Sequence, residues 1–263
     1  MTDEGVRFTW AIVQPPSDSF AAGLTTATLG APDLVLARAQ HAQYCLALQQ
    51  RGVTVLSLPD TSAYPDSTFV EDTAIVTRHG AIIARPGAPS RAGEVTAIRL
   101  VLERKYGSVA AIAAPGTLDG GDICQAGQHF LIGLSERTND EGARQLIHYL
   151  GQWGYTASTI SIRDNRELLH LKSGISWLGN NTLLVTAVLA GHPALGGYEQ
   201  LITSAGESYA ANCVRVNDAV LMAAGFPGIA RRVAALGREV VTLDVSEFAK
   251  MDGGLSCLSI RVP

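Results

Sequence analysis

Short apolar runs recur along this chain, each closed by Gly, Asn or Asp, and helical stretches with a period near 3.6 lie between them. Residues 8–13 read as a strand and 17–26 as a Gly/Ser/Thr-rich loop. Asp33 reads as the N-cap of a helix over 34–50, with Val35, Ala39, Ala42 and Leu46 on one face and Gly52 ending it. A buried strand over 53–58 follows, then a hairpin of 69–76 with 81–84 across His79-Gly80. Ser90 caps a helix carrying Val95, Ile98 and Leu102 that closes near Gly107. Residues 109–113 form a strand and 118–122 a turn. A second hairpin pairs 123–125 with 129–134, and Asn139 caps a helix carrying Ala143, Leu146, Ile147 and Leu150. After a strand over 156–162, two more hairpins turn on Asn180-Asn181 (175–178 with 182–185) and Asn217-Asp218 (213–216 with 219–222). A helix from Pro227 to Gly237 and a strand over 240–243 precede a terminal strand around Cys257, where Leu255 to Val262 alternates apolar with small or polar residues.

One figure repeats in this order: a small or acidic turn, a short hairpin, a helix closed by Gly, a strand. Its openings fall near Phe69, Gly120, Ser173, Ala211 and Gly254, roughly 35–55 residues apart, the spacing of propellers and related arrays. The equivalent turns of such an array meet at one centre, and that is where chemistry is to be sought.

Composition narrows the class. The 263 residues contain no linker, charge block or low-complexity run, so one domain over 1–263 is expected. The formal charge of −4 offers no basic face for nucleic acid. No apolar run has transmembrane length, and Met1-Thr2-Asp3-Glu4 is unlike a secretory signal, which points to the cytoplasm and away from membranes. Cys45, Cys124, Cys213 and Cys257 show no zinc spacing and read as free thiols in a reducing compartment, the first three structural.

Candidate chemistry lies at the repeat openings. Cys257 follows Asp252-Gly253-Gly254, whose glycines leave backbone room for a ligand, and reads as a nucleophile. In Asp66-Ser67-Thr68-Phe69-Val70-Glu71-Asp72, alternation sends Glu71 and Asp72 to opposite faces. A carboxylate facing inward there requires a cationic partner. Asp119-Gly120-Gly121-Asp122 is by itself an ordinary turn. His170, between Leu169 and Leu171, reads either as a core histidine or as a catalyst, and its place at a repeat opening favours the second. Arg91 and Arg137 lie near predicted helix starts. The helix dipole disfavours cations there unless they hold an anion, and otherwise they are solvated surface residues.

Together these stretches resemble the dimethylarginine dimethylaminohydrolase family of guanidine-modifying enzymes, over nearly the whole chain. The resemblance rests on Pro65 to Asp72, Arg85 to Arg91, Leu118 to Asp122, Arg137-Thr138-Asn139, Leu169 to Lys172, Ala210 to Cys213 and Gly253 to Cys257. It implies an α/β fold, the five-bladed αβ-propeller (pentein) of ββαβ units, with the site on the central axis. It further implies hydrolysis of Nω-methylated arginines to citrulline and an alkylamine, with no metal and no cofactor. Cys257 matches the nucleophile, His170 the acid/base and Asp119 the acid that orients it. Asp72, with Glu71 beside it, matches the clasp on the guanidinium, and Asp66 the receiver of the α-amine. Arg91 and Arg137 match a carboxylate clamp, and Leu24 and Asp252 match contacts over the substrate.

Arginine deiminases are similar but carry His-x-Asp where this chain has His170-Leu171-Lys172. A methylated nitrogen has fewer protons to donate, so an acid there would lack a partner, and its replacement suits alkylated substrate. The remaining alternatives are another guanidine or ureido hydrolase and an inactive propeller acting as a binding module. Exposed blade edges admit a homodimer.

Overall fold

The computed structural model describes residues 6–59 and 61–263; the acidic stretch 1–4 and Asp60, read as a solvated loop acid, lie outside them. Its strands form five three-stranded sheets. In each sheet the first strand runs antiparallel to the middle one, and the middle strand is parallel to the third across a crossover. The first blade joins β1 (Trp10–Val13), α1 (Leu34–Gln50) and β2 (Thr54–Ser57) to β15 (Ile260–Val262), which supplies its inner strand. The second has β3 (Ala74–Thr77), β4 (Gly80–Ile83), α2 (Val95–Tyr106) and β5 (Ala110–Ala111). The third has β6 (Ile123–Ala126), β7 (His129–Leu134), α3 (Asp140–Gln152) and β8 (Thr156–Ser161). The fourth has β9 (Ile175–Gly179), β10 (Thr182–Val185) and β11 (Glu199–Ile202), with only a 3-10 turn, Pro193–Leu195, in the crossover. The fifth has β12 (Val214–Val216), β13 (Ala219–Ala223), α4 (Pro227–Ala234) and β14 (Glu239–Leu243), followed by the short α5 (Ser246–Ala249). Inner strands of neighbouring blades lie side by side, β15 against β3, β6 against β9 and β9 against β12. This is the five-bladed αβ-propeller that the repeat implies.

Local signals explain most boundaries. Asp33 Oδ1 accepts from the N–H groups of Val35 and Leu36, and Asn139 Oδ1 from Gly142, so two of the three predicted N-caps hold. Asn180 and Asn181 sit at φ 49° and 59°, the left-handed pair of a tight hairpin.

Five expectations fail, each for a physical reason. The predicted face of α1 is the outer one: Val35 is 80% exposed and Leu46 44%, whereas Gln40, His41 and Tyr44 are buried. The buried stripe mixes Ala37, Ala47 and Leu48 with polar and aromatic groups held by specific bonds, Tyr44 Oη with Ser259 Oγ and Gln40 with Ser246 and Glu247. Hydropathy does not weigh such bonds. Next, β2 is mostly exposed instead of buried, because the third strand of a blade is its outer edge. Ser90 caps no α-helix; it lies in the 3-10 turn Pro89–Arg91, and α2 starts at Val95 after Glu94, whose carboxylate is engaged by Arg91 instead of capping. The fourth repeat lacks its helix. Finally, Cys257 is not on a strand but in the 3-10 turn Ser256–Leu258, with β15 starting at Ile260. No described helix is long and apolar enough to cross a membrane.

Candidate active site

Every blade is entered through a 3-10 turn: Ser256–Leu258, Val70–Thr73, Gly120–Asp122, Leu171–Ser173 and Ser208–Ala211. In that order each turn touches the next, so all five close round one end of the axis. The Gly-Gly of the third turn makes this closeness possible. A Cβ on Gly120 would meet the Glu71 carbonyl oxygen at 2.0 Å, and one on Gly121 would meet His170 Nδ1 at 2.7 Å and Asp72 Oδ1 at 2.8 Å. Side-chain atoms of Asp72, Asp119 and His170, one from each, lie within 4.8 Å of one another. A cavity of about 30 Å³ opens beside them, lined by Asp72, His170 and Cys257 together with Leu24, Asp66, Arg91, Arg137 and Asp252. Eight of the ten predicted site residues therefore line it, and a ninth, Asp119, stands against His170.

Asp72 is almost fully buried. Its Oδ1 accepts from Gly121 N–H at 2.8 Å and its Oδ2 from Arg91 Nη1 at 2.5 Å. Burial alone would raise its pKa, but His170, Arg91 and these bonds hold it down at about 2. Arg91 does not present an open fork: it also donates to both oxygens of Glu94 and to the Phe69 carbonyl. The predicted carboxylate clamp is thus, in this state, a guanidinium resting on Asp72. Burial pushes Glu94 up to about 7, against the pull of Arg91.

His170 Nε2–H donates to Asp119 Oδ2 at 3.1 Å, while Asp119 Oδ1 accepts from Gly87 N–H and Arg137 Nη1 stands 4.0 Å from Oδ2. Burial opposes the imidazolium, but Asp72, Asp119 and Asp122 outweigh it and hold His170 up at about 9. Asp122 takes bonds from Ser135, Thr138 and the Leu171 N–H, and so braces the histidine turn from behind.

Cys257 is half-buried. Burial first, then Glu71 and Asp72, push its thiol up to about 12. The room at the two glycines before it is already filled: a Cβ on Gly253 would strike the Phe69 ring at 2.2 Å, and one on Gly254 would strike Asn212 Cγ at 2.5 Å. The missing Cβ positions are taken by protein groups, while the Gly253 backbone still lines the pocket.

The loop over the pocket is pinned by two predicted residues. Leu24 N–H donates to both oxygens of Asp66, and Asp252 Oδ2 accepts from Thr26 N–H and from the hydroxyls of Thr25 and Thr26. Burial raises the pKa of Asp66.

Glu71 does not reach the pocket. It faces the opposite side, where it pairs with Lys172 and with Arg261 Nη2 at 2.8 Å and accepts from Ser256 Oγ at 2.7 Å. These groups border a second cavity of about 150 Å³ lined by Cys124, Cys213, Trp177 and Arg215. Lys172 therefore turns away from Cys257, and its position sends no acid into the pocket. Divergence of Glu71 and Asp72 was foreseen, but both are buried, because the backbone there is a 3-10 turn and not a strand. Glu71→Ala would leave two largely buried cations unpaired, and is expected to cost about 3–5 kcal/mol in urea denaturation followed by circular dichroism.

Sequence reasoning missed Glu94, Ser256, Arg261 and Asn212. Asn212 had a signal: it stands at the opening of the one repeat for which no site residue was named.

A sequence model described as arginine deiminase matches residues 61–200. The N(G),N(G)-dimethylarginine dimethylaminohydrolase of Pseudomonas aeruginosa is 43% identical over 97% of this chain and 99% of that protein. A structure of the Pseudomonas aeruginosa enzyme as a cysteine-to-serine mutant with citrulline superposes with a TM-score of 0.94, at 42% identity over 97% of this chain and 100% of that one. A dimethylarginine dimethylaminohydrolase with histidine replaced by glycine, as an adduct with S-methyl-L-thiocitrulline, gives 0.93 at 43% identity over 97% and 99%. With that identity sustained from end to end and the same five-bladed ring, the chain belongs to the dimethylarginine dimethylaminohydrolase family of the penteins.

Proposed function

We propose that this chain, as one catalytic domain, hydrolyses Nω-methylated arginines to citrulline and an alkylamine, with Cys257 as nucleophile, His170 as acid and base, and Asp119 holding the imidazole. The observation that carries this reading is the grip of Asp72 on a guanidinium, that of Arg91, in a pocket shared with Cys257 and His170. The pocket is already built for the flat cation whose carbon must be attacked.

Before substrate arrives, His170 is an imidazolium and Cys257 a thiol at neutral pH. A substrate guanidinium placed on Asp72 stands against the thiol, and its charge favours loss of the thiol proton. Sulfur then bonds to the guanidinium carbon. His170 gives its proton to the alkylated nitrogen, the C–N bond breaks, and a free amine and an S-alkylthiouronium remain. Neutral His170 takes a proton from water as the hydroxide adds to the same carbon. Collapse breaks the C–S bond, the hydroxyl proton passes to the expelled thiolate, and citrulline departs from a regenerated Cys257 thiol and His170 imidazolium. Asp119 fixes which ring nitrogen faces the reaction. The substrate carboxylate would draw on Arg91 and Arg137, and its amine on Asp66 beneath the Leu24 loop, with Asp252 holding that loop. Free thiols suit a reducing cytoplasm, and the exposed third strands admit pairing of two copies.

The test is a count of products. N-monomethyl- and N,N-dimethyl-L-arginine should each yield citrulline with an equal amount of methylamine or dimethylamine. Ammonia from unmodified arginine, with no reaction of methylated substrates, would instead make the chain an arginine deiminase; no citrulline from any of them would favour a binding module. Asp72→Asn keeps the shape and removes the charge under the guanidinium. It is expected to lower kcat/KM by about 10²–10³-fold, mostly through kcat; steady-state kinetics decide it.

A further inference from the structure

Four of the five turns deliver a named group to the centre: Asp72, Asp119, His170 and Cys257. The fifth, Ser208–Ala211, delivers Asn212, its C-terminal neighbour, and Asn212 is buried. Its Oδ1 accepts from the Ser256 N–H at 2.9 Å. Its Nδ2 lies 3.9 Å from Cys257 Sγ, within reach of an N–H···S contact. The first bond fixes the second. Turning the amide over would set Nδ2 against the Ser256 N–H, donor against donor, so the side that meets sulfur is the N–H side. Gly254 serves this contact, since any side chain there would occupy the Asn212 amide's place. Ser256 is held at all its polar groups, by Asn212 at the N–H, Glu71 at the hydroxyl and Arg261 at the carbonyl, so the turn carrying the sulfur has little freedom to move from the donor.

We infer that Asn212 is a further catalytic residue, whose Nδ2–H donates to the Cys257 thiolate and stabilises it for attack. This rests on Cys257 being the reacting thiol of the proposed function. The need for such a donor is visible in what surrounds the sulfur. Glu71 and Asp72 oppose its negative charge and Tyr209 packs close by, while the Gly254 backbone and Lys172 favour it, and the Lys172 charge is itself paired with Glu71. A neutral donor aimed at sulfur adds stabilisation that no carboxylate cancels.

The test measures alkylation of Cys257 by iodoacetamide at pH 7–10 without substrate, read by peptide mass, in the wild type and two variants. Asn212→Asp keeps an acceptor for Ser256 and loses the donor. Asn212→Leu is neutral and loses both. Loss of a hydrogen bond to a charged group should raise the thiol pKa by about one pH unit. The thiolate fraction then falls about tenfold, partly offset by greater intrinsic nucleophilicity, so alkylation should slow about three- to fourfold in both variants. Their kcat/KM should fall at least about tenfold, with retained affinity for citrulline. Slowing in Asn212→Asp alone would trace the effect to the added charge, and slowing in Asn212→Leu alone to the Ser256 anchor; either result, or no slowing, overturns the inference. Should Asn212→Leu not fold, Asn212→Gln, which shifts the amide by one methylene, takes its place with the same readings. Wild-type protein that alkylates as described but releases no citrulline would refute the proposed function and leave this inference standing.

Discussion

Cys257→Ser is expected to lower citrulline formation by more than about 10⁴-fold while leaving product affinity near that of the wild type. The effect is large because no neighbour can take the place of sulfur. Cys45, Cys124 and Cys213 lie outside the pocket, and the remaining lining groups there are paired acids, cations or apolar side chains. A serine hydroxyl at this place would have to ionise among Glu71, Asp72 and the protein interior, which already push the more acidic thiol up to about 12. The fold should be unaffected, since the turn is held through Ser256 and Asn212 and not through the thiol. Product release under single-turnover conditions, with citrulline affinity measured by calorimetry, checks both halves. Activity within tenfold of wild type would remove Cys257 from the chemistry.

His170→Gly is expected to lower turnover about 10²–10⁴-fold, and its signature is the step at which the reaction stops. Without the imidazolium the amine leaves unprotonated, so methylarginines should scarcely react. A substrate analogue whose leaving group needs no proton, such as S-methyl-L-thiocitrulline, should still be attacked. Without a base to activate water, the covalent adduct should then accumulate on Cys257, visible by mass spectrometry. In the wild type the sign of the pH dependence follows from His170 being held up at about 9. The acid is present below that pH, so kcat/KM should fall as pH rises through about 9, and His170→Gly should lose that limb. The same raised value contributes stability below the ordinary histidine range, fading as pH rises through about 9. An adduct that hydrolyses at the wild-type rate would refute the assignment.

The sequence carries the blade count because a Gly, Asn or Asp turn marks each of the four hairpins; His79-Gly80, Asn180-Asn181 and Asn217-Asp218 all stand where strand turns back on strand. It carries the identity of the central groups for the same reason, since position within a repeat translates into position on the axis. What it does not carry is direction. Glu71 and Asp72 are neighbours with the same chemistry, and only the 3-10 turn sends one to the thiol and the other to Lys172. The buried stripe of α1 is hidden because Gln40 and Tyr44 are buried through partners more than 200 residues away, Ser246 and Ser259. Asn212 carries no role in the sequence reading because its two partners, Ser256 and Cys257, belong to another blade.

The first blade has a consequence for how activity appears during folding. Its inner strand, Ile260–Val262, docks on Trp10–Val13, and the preceding turn carries Cys257, the proposed nucleophile. This pairing is the clasp of the ring, joining segments that synthesis separates by most of the chain. A chain with its other four blades formed but this pairing open would hold the imidazole and the acids without Cys257 beside them, so activity is expected only once the clasp has closed.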